Sequence, residues 1–200
     1  MLTYLALGDS YTIGEQVRAE ESFPFQTVRM LREKYFWQIA DPVVIAKTGW
    51  TTDELMAAVK EEKPANRFDL VTLAIGVNNQ YRGRSVEDYE KEFLQLLLKA
   101  ILLAKGRPER VFVLSVPDWG VTPFAKDRSP ESIAKEIDAF NKKNKAITFA
   151  YKCTYLDITQ STREHGGREQ FLTPDRLHYS PSEYQIWAEK LSGAIALALR

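Results

Sequence analysis

Apolar residues follow two rhythms along this chain. Five short runs are apolar at nearly every position: LTYLAL (2–7), PVVIAK (42–47), LVTLAI (70–75), RVFVLS (110–115) and TYLDI (154–158). A strand with one wet face alternates apolar and polar residues, whereas a strand covered on both faces does not. These runs therefore predict the strands of a parallel sheet. Between them, apolar residues recur every three or four positions. Phe25, Val28, Leu31 and Tyr35 do so in 23–36, and Leu55, Ala58 and Val59 in 51–62. Tyr89, Phe93, Leu96, Leu97, Ala100 and Ile101 do so in 85–105. Each stretch predicts a helix with one buried face. Ser129-Pro130-Glu131 sets a cap and a first-turn proline before a helix running to about Tyr151. Ser180-Pro181-Ser182-Glu183 reads as a capping box opening the last helix. The alternation predicts one doubly wound α/β domain over residues 1–200, three layers deep, without internal repeat or linker.

Composition narrows the function classes. With 200 residues, 44% of them hydrophobic, the chain suits one core of useful size. Lys+Arg and Asp+Glu both number 27, which speaks against a large commitment to nucleic acid or anionic membrane. A single cysteine, Cys153, excludes an intrachain disulfide and a Cys-based zinc site, and is expected to be a buried, inert thiol. Two histidines argue against a His-rich metal centre, so no metal and no cofactor are expected. Leu2–Leu7 is short and has no basic residues before it, unlike a secretory signal. The most apolar stretch, FLQLLLKAILLA (93–104), is far shorter than the ~20 residues of a membrane span. A soluble, cytoplasmic protein with no membrane span is expected.

In doubly wound folds, ligands sit beyond the carboxyl ends of the strands. The residues there are Gly8-Asp9-Ser10 after the first run, KTGWTT with Gly49 after the second, and GVNNQYRG with Asn78 and Asn79 after the third. VPDWGVTPF follows the fourth, and a long loop ending in TPDRLHYSP, with Asp175 and His178, follows the fifth. Singly, each has a bland reading. Ser10 either caps a helix or holds its hydroxyl out as a nucleophile. Asn78 and Asp175 suit ordinary turns, and His178 suits a surface loop. Their joint placement at strand ends favours chemistry.

In these four blocks the sequence resembles the SGNH, or GDSL, hydrolases. GDSYTIG is similar to the nucleophile block, AKTGWTT to the glycine block, IGVNNQ to the asparagine block and DRLH to the Asp-x-x-His block, in the family's order. Two positions depart from the pattern: Tyr11 stands where leucine is usual, and Asn79 where aspartate is usual. The resemblance implies a flavodoxin-like sheet of five parallel strands and a serine esterase or lipase. Its nucleophile is then Ser10, its base His178 and its acid Asp175. An oxyanion hole follows from the Ser10 and Gly49 amides and the Asn78 side chain.

The chemistry is consistent with those residue types. Serine needs a base to take its proton, the base needs a fixed tautomer, and the tetrahedral oxyanion needs preorganised donors. Trp50, Asn79, Tyr81, Trp119 and Phe124 follow strands and are candidates for the substrate pocket. The loops 117–130 and 159–177 are candidates for specificity. His165, Arg82 and Arg84 are expected to be solvated. The expected function is hydrolysis of small or short-acyl carboxylic esters, with a small-molecule ester as partner. The alternatives are an acyltransferase or thioesterase on the same residues, or a flavodoxin-like protein binding FMN or another ligand after the first strand.

Overall fold

Five parallel strands form one sheet in the order β2-β1-β3-β4-β5. They are β1 Tyr4–Gly8, β2 Val43–Ala46, β3 Leu70–Ala74, β4 Val111–Leu114 and β5 Thr154–Leu156. This is the flavodoxin-like order. The computed structural model describes residues 1–65 and 67–199. The reason for the continuous apolar runs is visible in β1. Tyr4 and Ala6 point into one core cluster, with Phe23, Leu31, Trp187 and Leu191, while Leu5 and Leu7 point into the other, with Leu55, Val59, Phe93 and Leu96. Both faces of this strand are dry, so a polar atom there needs a partner, as the Tyr4 hydroxyl has in the Thr72 hydroxyl of β3 at 2.9 Å. Truncating a fully buried leucine such as Leu7 or Leu73 to alanine should cost about 2–5 kcal/mol.

The helices supply the two outer layers. Helices α2 (Phe23–Tyr35) and α8 (Pro181–Ala198) pack on each other and cover one face, and α3 (Thr52–Glu62) and α5 (Val86–Leu103) cover the other. Helix α6 (Pro130–Ala150) sends Ile133 and Ile137 to the first cluster and Phe140 to the second. Three further helices are too short to show a period: α1 (Ser10–Ile13), α4 (Val77–Tyr81) and α7 (Thr159–His165). Ser129 caps α6 by accepting from the Ser132 amide at 3.2 Å. At the start of α8 the expected capping box does not form. Ser180 Oγ donates instead to the Gln170 carbonyl at 2.8 Å, and Glu183 turns into the core. Among the described residues, no helix is long and apolar enough to cross a membrane.

The order reverses at β1, which has β2 on one side and β3 on the other. A crevice opens at the carboxyl ends of β1 and β3, where ligands of such folds bind.

Candidate active site

Gly8 ends β1 against β3: a Cβ there would lie 2.6 Å from the Ala74 carbonyl oxygen, so only glycine lets the chain turn at this point. Asp9 follows in an extended conformation and caps α1, its Oδ1 accepting from the Tyr11 amide at 3.1 Å. The cap is therefore Asp9 and not Ser10. Ser10 is the first residue of the helix, where a backbone N–H has no intrahelical acceptor. Burial pushes the Asp9 carboxyl up to about 7, although the Tyr11 amide bond opposes the rise.

From the far end of the chain, His178 arrives beside this turn. Its Nε2 lies 2.9 Å from Ser10 Oγ, across 168 residues of sequence, and its Nδ1 lies 2.6 Å from Asp175 Oδ2. The Asp175 pairing is local. Arg176 adopts a left-handed φ of +61°, and Asp175 Oδ1 accepts from the Leu177 and His178 amides at 2.9 and 3.0 Å and from the Thr173 hydroxyl at 2.8 Å. Partial burial would raise the Asp175 pKa, but these bonds, the His178 ring foremost, bring it down to about 2. A carboxylate on Nδ1 favours the tautomer with its proton there, which leaves Nε2 as an acceptor for the serine hydroxyl. Tyr11 packs on the imidazole at a centroid distance of 5.3 Å. Tyr11, which stands where leucine is usual, also lines the crevice, whereas nothing in the sequence pattern marked Thr173 for its supporting position.

Gly49 and Asn78 face the same crevice. Gly49 has φ +82°, and an added Cβ would meet only ordinary contact, with Arg82 Nη2 at 3.6 Å. Its backbone angle, more than lack of space, calls for glycine. Helix α4 laces this loop in place: Asn78 Nδ2 donates to the Trp50 carbonyl at 3.0 Å, and Arg82 Nη2 donates to the Gly49 carbonyl at 2.5 Å. Asn79 is fully buried. Its Oδ1 accepts from the Thr52 amide at 3.1 Å, and its Nδ2 donates to the Thr52 hydroxyl at 2.7 Å. That hydroxyl already donates to Glu92, so it needs a donor facing it, which an amide supplies and a carboxylate does not.

A cavity of about 190 Å³ lies over Ser10 and His178. Its apolar wall is Val77, Tyr81, Trp119, Phe124 and Leu177, with Gly49 and Asn78 on its polar side. Among the described residues that line it, Trp50 and Asn79 do not appear. Trp50 packs against the core cluster on the α3–α5 face, and Asn79 holds the start of α3. Arg82 and Arg84 are not free in solvent: they pair with Glu54 at 3.3 Å and Asp53 at 2.6 Å. His165 also departs from the solvated reading, since its Nδ1 lies 2.8 Å from the buried Glu183 and its ring stacks on Phe171. Cys153 is buried, and burial pushes its thiol up to about 12. No group of three or more His, Cys, Asp or Glu among the described residues can hold a metal ion.

Comparison with known proteins gives a consistent picture. A family model described as "GDSL-like Lipase/Acylhydrolase family" matches residues 6–186. The spore germination lipase LipC of Bacillus licheniformis is 28% identical, over 96% of each chain. Among solved structures, a lipase/acylhydrolase from Enterococcus faecalis superposes with a TM-score of 0.76 at 19% identity, covering 98% of this chain and 95% of its own. The lipase Lip_vut3 from a goat rumen metagenome gives 0.72 at 24% identity, over 97% of each chain.

Proposed function

The chain belongs to the GDSL-like lipase/acylhydrolase family, and from that premise we propose that it hydrolyses carboxylic esters through an acyl-Ser10 intermediate. His178 Nε2 takes the proton of the Ser10 hydroxyl as Oγ bonds to the ester carbonyl carbon. The developing oxyanion is met by the Ser10 and Gly49 amides and by Asn78 Nδ2. Asp175 holds Nδ1–H and stabilises the imidazolium that forms. Collapse breaks the bond to the alcohol oxygen, which leaves with the proton from Nε2. Water then attacks the acyl carbon, His178 takes its proton, and release of the carboxylic acid returns that proton to Ser10.

The observation that carries this reading is the 2.9 Å approach of His178 Nε2 to Ser10 Oγ with the 2.6 Å carboxylate contact behind it. The electrostatics favour it as well. Helix α8 begins at Pro181, and its positive end opposes a charge on His178. Asp175, held ionised to about pH 2, counters that opposition. The cavity of about 190 Å³ is below the ~300–1,000 Å³ usual for drug-sized ligands, which favours short acyl groups.

Treatment with a fluorophosphonate probe followed by peptide mapping tests the proposal. The expected result is label on the Ser10 peptide, lost in His178→Ala. Label on another residue, or labelling undiminished in His178→Ala, would overturn it.

A further inference from the structure

Resting on the acyl-Ser10 reading, we propose that Gln80 is a positioning residue. Its amide, strung between the Trp119 indole and the Glu136 carboxylate, holds the indole as the end wall of the acyl pocket and so sets the acyl length accepted. Trp119 Nε1 donates to Gln80 Oε1 at 2.7 Å, and Gln80 Nε2 donates to Glu136 Oε2 at 2.7 Å. Trp119 and Gln80 are both buried, so an indole N–H without this acceptor would be an unpaired donor in the core. The ring has one orientation in which it is satisfied.

The backbone beneath the indole is held as firmly. Asp118 accepts from the Gly120 amide at 2.9 Å and from Arg163 Nε at 2.8 Å, and the Thr122 hydroxyl donates to the Trp119 carbonyl at 2.6 Å. Tyr81 and Phe124 meet the indole edge-on at centroid distances of 5.2 and 6.2 Å. They are 46% and 45% exposed, whereas Trp119 is 3% exposed. The cleft therefore has two yielding sides and one fixed end.

Direction follows from the proton path. The leaving oxygen must reach His178 Nε2, so the alcohol part lies past His178 and Leu177. The carbonyl oxygen points to Asn78, and the acyl substituent runs away from the imidazole along α4, past Val77 and Tyr81 to Trp119. Each methylene that meets a fixed apolar wall changes discrimination by about 1–3 kcal/mol, or roughly 10–200-fold.

The test is kcat/KM for p-nitrophenyl esters from acetyl to decanoyl. Gln80→Glu sets a second carboxylate against Glu136 and breaks the chain of bonds. Adding Glu136→Gln restores it, with an acceptor toward the indole and a donor on the α6 side. The octanoyl-to-acetyl ratio should rise roughly tenfold or more in Gln80→Glu and return toward wild type in the double variant. Trp119→Phe, which lacks the N–H, should raise the ratio as the single variant does.

Three outcomes would overturn the proposal. They are an unmoved ratio, including rates that fall by one factor at every length, a double variant that melts like wild type without restoring the ratio, and a shift that follows alcohol length with acetyl fixed. Fluorophosphonate labelling of the same preparations separates the two readings. An unlabelled wild type removes the acyl-Ser10 premise; labelled Ser10 with unmoved ratios removes the role of Gln80 alone.

Discussion

His165 and His178 each set Nδ1 against a carboxylate, 2.8 Å from Glu183 and 2.6 Å from Asp175, and each has a serine close by. The resemblance ends with the far nitrogen. Nε2 of His178 meets Ser10 Oγ at 2.9 Å, and both residues line the cavity. Beside His165, Ser161 lies on the same side as the carboxylate: its hydroxyl donates to Glu183 at 2.5 Å and sits 3.5 Å from Nδ1. The His165 ring is stacked on Phe171 at 4.1 Å, and Glu183 also accepts from Trp187 Nε1 at 2.8 Å. The three residue types are nearly the same in both places. One arrangement offers a lone pair to a hydroxyl beside a cavity; the other ties α7 to α8.

The sharpest way to break this contrast is to neutralise both carboxylates in turn. Asp175→Asn should lower kcat by roughly 10³–10⁴-fold, because the imidazole loses its tautomer and its counter-charge. Glu183→Gln should keep kcat/KM within about threefold yet lower stability by about 1–3 kcal/mol, through bonds lost around a buried acceptor. Ester hydrolysis and thermal melts on both variants decide the matter. Equal loss of activity in the two would erase the distinction. A smaller effect is expected from Asn78→Ala, roughly 100-fold in kcat with less change in KM. A change in KM alone would move Asn78 from the transition state to ground-state binding.

The last prediction concerns pH-dependent stability rather than activity, on the other side of Ser10. The folded pKa of Asp9, about 7, lies above its ordinary 3.8, so the native state binds more protons between those values. Its contribution is present below about pH 4 and is lost as pH rises through about 7. Asp175 has the opposite sign: its folded pKa of about 2 lies below 3.8, and its contribution, full above about pH 4, is lost as pH falls from there through about 2. Asparagine caps a helix as well as aspartate does. Asp9→Asn should therefore flatten the decline between about pH 4 and about pH 7, as read by urea unfolding. An unchanged slope would remove Asp9 as its source.

Much of this was legible beforehand, and the reasons are particular. The inner strands β1, β3 and β4 show themselves because both their faces are dry, α2, α3 and α5 because each repeats its apolar stripe, and α6 because Ser129 and Pro130 mark its start, whereas α8 was read from a capping box that does not form. Helices α1, α4 and α7, of 4, 5 and 7 residues, complete too little of a period to be seen. The serine-to-glutamate spacing at 180–183 matched a capping box, yet Glu183 finds Ser161, His165 and Trp187 in the core, partners that no local spacing announces. Trp50 and Asn79 follow strands as Tyr81 and Trp119 do, and only packing sends the first two away from the cavity.

The layering and the Asp175–His178 pairing were written in the order of residues alone, because burial on two faces and a three-residue turn are both local matters. The meeting of Ser10 with His178, which only the family resemblance announced, and the fixing of Trp119 by Gln80, which nothing announced, were left to the folded chain. Contacts across 168 and 39 positions exist only after the sheet has its order and α8 has packed on α2. Only closing such large loops of chain brings these groups within a hydrogen bond of one another.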